Sequence, residues 1–149
     1  MIVMKKKLLW LPVVVLVLGA AIYSPAKEAL KEEAPVSKNI SFAVFKKGNY
    51  ASAAYNNTFA QIHIIVEKVN GKKRSLVWDT TLDAKRLNEY PSVENALSQN
   101  ITVPNVFDKK EHLEVTYTLT FDSKGSKLQM QGDVVVSHDI KTNKVDISI

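Results

Sequence analysis

The 149-residue chain contains no cysteine, which excludes a disulfide framework and attachment of a lipid through a cysteine thioether. Its stability therefore comes from packing. Glycine is scarce, at five residues, and no stretch resembles a phosphate-binding glycine loop. A clustered excess of positive charge is missing as well. The formal net charge is +5, but Lys5, Lys6 and Lys7 stand ahead of an apolar segment; without them 17 basic side chains face 15 acidic ones, a net +2. Nucleic acid is not an expected partner, because binding a phosphate backbone needs a larger and more concentrated excess.

The N-terminus carries a long apolar run. Lys5, Lys6 and Lys7 precede residues 8–18, which hold no charge, and the small residues Gly19, Ala20 and Ala21 follow. Cations on that flank hold the N-terminus on the cytoplasmic side while the apolar stretch partitions into the bilayer, the pattern of an export signal. As a helix, residues 8–23 would be about 24 Å long, short of the ~30 Å hydrocarbon core. Ser24, Pro25 and Ala26 put small residues where signal peptidases read, so cleavage after Ala26 is expected, with Ala21 a second position. The alternative is an uncleaved membrane anchor over residues 8–23. Export without cysteine suits a bacterial envelope, which makes the expected location periplasmic or cell-surface, or tethered to the inner membrane if the anchor stays.

Three segments follow from these patterns: a signal or anchor over residues 1–26, a polar spacer over 27–38, and one domain over 39–149. From Ile40 onward apolar and polar residues alternate between turn signals, which predicts strands. Asn70-Gly71 predicts a two-residue type I′ hairpin turn that pairs Val69 with Lys72, Glu67 with Arg74, Ile65 with Leu76 and His63 with Trp78. A second hairpin is expected over residues 111–137, turning at 122–125. Its first arm sets Leu113, Val115, Tyr117, Leu119 and Phe121 on one face and Glu114, Thr116, Thr118 and Thr120 on the other. Residues 40–45 read as an opening strand, 50–55 as a weak strand or extended loop, and 145–149 as a closing one. Residues 83–88 and 92–97 could each form a helical turn, with Asp83 and Ser92 as N-caps. Pro104 makes 101–107 an edge strand.

The expected fold is an all-β, antiparallel immunoglobulin-like β-sandwich of about seven strands, preceded by the N-terminal signal or anchor helix, with an incomplete barrel as the alternative. Trp78 is assigned to its core.

Catalysis leaves little trace. Ser137, His138 and Asp139 are consecutive, so on a strand they point to opposite faces and cannot form a nucleophile, base and orienter. No two of His63, His112 and His138 stand at i, i+2 or i, i+4 spacing, which makes a metal site with Glu111 or Glu114 a weak expectation. Asp79, Asp83 and Glu89 lack the alternation of a calcium loop. No catalytic residue, metal or cofactor is assigned. Tyr50, Tyr55 and Tyr90 sit in the less regular segments, where rings could stack on a sugar or a peptide. Lys72, Lys73, Arg74, Lys124 and Lys127 flank the two hairpin turns; an up-and-down walk would bring both turns to the end where the opening strand begins, as a basic surface facing anionic lipid.

These residues point to a non-catalytic binding module of the cell envelope with a protein or glycan ligand. The alternatives are a structural subunit that pairs through an exposed edge strand, 101–107 or 145–149, and, third, a hydrolase, which needs a cleft holding a histidine and a carboxylate within about 3 Å.

Overall fold

The computed structural model describes residues 34–149. The export segment, its cleavage positions and residues 27–33 of the spacer lie outside the described residues. Seven strands follow: β1 Val36–Phe45, β2 Thr58–Asn70, β3 Lys73–Arg86, β4 Leu97–Val106, β5 His112–Ser123, β6 Ser126–Val136 and β7 Thr142–Ser148. They make a three-stranded sheet in the order β4-β1-β7 and a four-stranded sheet in the order β3-β2-β5-β6. Helical structure among the described residues is limited to three-residue 3-10 turns at Ala53–Tyr55, Leu87–Glu89 and Val93–Asn95. The chain is all-β, and its two sheets are consistent with a β-sandwich.

Alternation builds the core, because successive side chains of a strand point to opposite faces. Ile40, Phe42 and Val44 of β1 enter one buried cluster with Ala60, Ile62, Ile64 and Val66 of β2, Leu113, Val115 and Leu119 of β5, and Val145 and Ile147 of β7. The alternation expected for 113–121 holds: Leu113, Val115 and Leu119 are buried, with Tyr117 and Phe121 packed against the cluster.

Four expectations are corrected. First, β1 begins at Val36, so residues 36–38 are strand rather than spacer, and Lys38 is 3% exposed. Second, the fold is not wholly antiparallel. β7 runs parallel to β1, Asn39 opposite Thr142 and Phe45 opposite Ser148, because the chain leaves β6 at the end of the domain where β1 starts.

Third, the first hairpin turns one residue later than Asn-Gly suggests. Asn70 pairs with Lys73, so the loop is Gly71-Lys72, with Gly71 at a φ of +58°, as a type II′ turn requires at its first central position. The pair of positive φ angles that marks type I′ occurs instead at Lys124 (53°) and Gly125 (86°) in the second hairpin. A register shift between Val66 and Glu67 then changes the face. Leu76 sits opposite Glu67 but Trp78 opposite Val66, so the extra residue turns the indole inward. Trp78 is half-buried at the core's edge, its ring stacked on Phe42 of the other sheet at 5.4 Å between centroids and 16° between planes.

Fourth, β3 continues to Arg86, and Asp83 lies within it rather than capping a helical turn. Ser92 does occupy the N-cap position of the 93–95 turn.

β6 carries one tight fit. Gly132 lies opposite Tyr117 of β5, and the tyrosine ring covers it: a Cβ at 132 would overlap Cζ and Oη of Tyr117 and come within 2.7 Å of Cε1. Gly132→Ala is expected to destabilise the domain by about 1–3 kcal/mol, read as a lower urea midpoint with an unchanged m-value, and Gly132→Ala in a Tyr117→Ala background to cost much less.

Candidate functional site

The strands define two ends. Val69 of β2 lies opposite His112 of β5, and Thr58 opposite Ser123. The first end therefore holds the Gly71-Lys72 turn and loop 107–111. The start of β1 and loop 137–141 join it, because the Lys38 ammonium donates to the carbonyls of His138 and Ile140 and pairs with Asp108 Oδ2 at 2.8 Å. The His138 and His112 rings meet there at 5.8 Å between centroids. The opposite end holds loop 46–57, segment 87–96, the Lys124-Gly125 turn and Ile149, tied by bonds from the Lys46 amide to Pro91 and from the Lys47 amide to Ile149.

This geometry corrects the expected basic surface. Lys72, Lys73 and Arg74 lie at the end where β1 begins, whereas Lys124 and Lys127 lie at the other, about 35 Å away along β5 at 3.3–3.4 Å per residue. β3 descends, β4 returns and β5 descends again, so the two turns fall at opposite ends. Arg74 is also engaged, Nη1 lying 2.9 Å from Glu67 Oε2 and 2.7 Å from Glu114 Oε2.

The tyrosines do not converge. Tyr90 is 1% exposed, and its hydroxyl donates to the Ala60 carbonyl at 2.8 Å, where the β2–β3 register slips between Ala60 and Ile62. Burial pushes the phenol pKa up. Tyr90 is thus a core residue with no exposed ring face left to stack on a sugar. Tyr50 and Tyr55 do meet, edge to face at 5.2 Å, in loop 46–57, with Tyr50 half-buried and Tyr55 40% exposed.

Two histidine–carboxylate pairs form. His63 Nε2 lies 2.7 Å from Asp79 Oδ1, and His112 Nε2 lies 3.0 Å from Glu114 Oε1. The His112–Glu114 pair was legible as an i, i+2 spacing on one strand face. His63 and Asp79 come from neighbouring strands, and the shifted register brings them together. The hydrogen bond from His112, with help from Arg74, holds the Glu114 carboxyl below its usual range. Neither pair lines a described cleft.

Among the described residues, a cleft of about 260 Å³ suited to a ligand lies on the open side of the two sheets, between the edge strands β3 and β4. Phe42, Val44, Ile64 and Tyr90 form its floor, Leu82 and Leu97 its apolar walls, and Asp83, Lys85, Ser98 and Gln99 its polar rim. Small-molecule sites typically span about 300–1,000 Å³; this one has room for one or two apolar side chains. Leu82, Leu97 and Gln99 are not legible as site residues where the sequence suggests helical turns over 83–88 and 92–97; they lie on β3 and β4. The continuing alternation of Trp78, Thr80 and Leu82 was the available signal.

Comparison with family models, curated proteins and solved structures returned no match.

Proposed function

We propose that the protein is an exported binding module of the cell envelope, with an immunoglobulin-like sandwich modified by its parallel closing strand, and that its ligand is a protein segment bound in extended form at the β3–β4 cleft. The cleft carries this reading: an apolar floor lies between two strand edges whose outward N–H and C=O groups have no sheet neighbour. A segment added there gains main-chain hydrogen bonds from an edge and buries alternate side chains in the cleft. A glycan reading drew on three converging tyrosines and keeps only the Tyr50–Tyr55 pair.

A photoreactive residue in place of Ser98, in the full chain in its native cells, tests this. The expected result is a discrete cross-linked species that is lost on adding Leu97→Asp and absent when the probe replaces Thr118 on the outer face. Equal adducts from both positions would refute the cleft as the binding site.

The exposed Lys72 and Lys73 lie at the end where β1 begins, a basic surface on which each lysine contributes about 1 kcal/mol on anionic lipid. Lys72→Glu with Lys73→Glu is expected to weaken binding to anionic vesicles at low salt at least tenfold. Lys124→Glu with Lys127→Glu is expected to leave it much less changed.

A further inference from the structure

Four strands lie at sheet edges: β3, β4, β6 and β7. Exposed edges invite pairing with another chain, and natural sheets blunt them with proline, bulges, charge or brevity. β3 has two register shifts against β2 and carries Lys73, Arg74 and Arg86. β4 contains Pro104 and a positive φ of 57° at Asn105. β7 is seven residues long, with Lys144 and Asp146 exposed. β6 has neither proline, bulge nor brevity, and the charges it carries, Lys127 and Asp133, are of opposite sign. It runs eleven residues without proline, and its ladder with β5 continues from Leu113–Val136 to Ser123–Ser126 without a shift.

β6 also leaves apolar surface open. Leu128 and Met130 share the face of the buried Val136 yet are 61% and 55% exposed. The partly buried Phe121, Tyr117 and Val134 adjoin them on that face. A sheet face with this much uncovered apolar surface lowers its free energy when another apolar face covers it.

We propose that β6 pairs antiparallel with β6 of a second copy of this chain, about a twofold axis through Met130, joining two four-stranded sheets into one of eight strands. The sequence of the strand selects both partner and register. With Met130 opposite Met130, Leu128 meets Gly132, Gln129 meets Gln131, and Lys127 meets Asp133, the last three pairs each occurring twice by symmetry. Centring the axis one residue earlier sets Lys127 against Gln131, and one residue later sets it against Val135, so only the Met130 axis brings the two charges together.

The charges are ready for this pairing. Lys127 makes no ion pair among the described residues, and the Asp133 carboxylate is oriented by donors from Thr116 at 2.7 Å and Gln131 at 3.4 Å. The register also gathers Leu128 and Met130 of both copies on one face, where each now lies exposed. This assembly uses the side of the molecule away from the β3–β4 cleft and stands independently of ligand binding there.

The absence of native cysteine makes the test clean. Full chains carrying Met130→Cys would place the two thiols on Cα atoms about 4.5–5.5 Å apart, within the range a disulfide spans. Mild oxidation in the native membrane or envelope fraction is expected to give a disulfide dimer at least tenfold more abundant than from Leu76→Cys, a slightly more exposed site on β3. Adding Lys127→Glu is expected to lower that yield about tenfold, since two attractive cross-strand pairs become repulsive, and Lys127→Glu with Asp133→Lys is expected to restore it. Equal yields from positions 130 and 76, as when β6 is covered by a different protein, would overturn the proposal. So would a yield indifferent to Lys127→Glu. Retained Ser98 adducts in the same variants separate failure of the dimer from failure of the binding reading.

Discussion

Lys38→Met is expected to lower the unfolding free energy by about 3 kcal/mol, the low end of what breaking a buried ion pair costs, and Tm by roughly 10 °C. Lys38 is 3% exposed, and its ammonium joins three parts of the chain: β1, Asp108 in loop 107–111, and the His138 and Ile140 carbonyls in loop 137–141. Methionine keeps the apolar stem and loses every one of these bonds. The Asp108 carboxylate then suffers most. Its Oδ1 is already buried without a hydrogen-bond partner, so removing Lys38 leaves the charge on Oδ2 uncompensated too. Because the Asp108 side chain keeps 28% exposure, water repays part of the loss, and the upper end of the range is not expected. Lys38→Met with Asp108→Asn is expected to recover about half, since it removes the stranded charge. Denaturant melts of both variants measure this. A double variant as unstable as the single one would show that packing, rather than charge, sets the cost.

Tyr90→Ala is expected to cost about 3–5 kcal/mol, as for other large aromatic truncations in a core. Tyr90→Phe is expected to cost about 1–2 kcal/mol, for the hydrogen bond to the Ala60 carbonyl. Tyr50→Ala and Tyr55→Ala, in the exposed loop, are expected to fall well below the first of these. A pH signature accompanies the core position. Burial raises the phenol pKa above its usual 10.0, so the stabilisation is fully present below pH 10, where the unfolded chain begins to ionise. It is lost as pH rises through the raised folded-state value. Alkaline unfolding should therefore flatten in Tyr90→Phe. A Tyr90→Ala variant as stable as the parent would return this side chain to the surface.

The expected positions of the strands came through well because period-two alternation is a local property: residues 113–121 announce both the strand and its buried face. Register was less legible. Asn70-Gly71 favours one turn and the chain adopts the turn one residue later, after which a single bulge moves Trp78 to the opposite face. Such a shift depends on the indole finding Phe42 across the sheets, a contact between residues 36 positions apart that no window of sequence displays. Tyr90 misled for a related reason. Its neighbour Pro91 and the polar residues around it signal a surface loop, yet the side chain reaches back to β2 and fills the core. The candidate cleft required both sheets: Leu82 and Leu97 are ordinary leucines until β3 and β4 come to lie on the same open side.

The proposed envelope location rests on export by the segment over residues 1–26. N-terminal sequencing combined with fractionation of the native protein tests it most directly. The expected result is a chain that begins at Lys27 and is recovered from the soluble envelope fraction; an intact chain beginning at Met1 in the cytosol would rule export out.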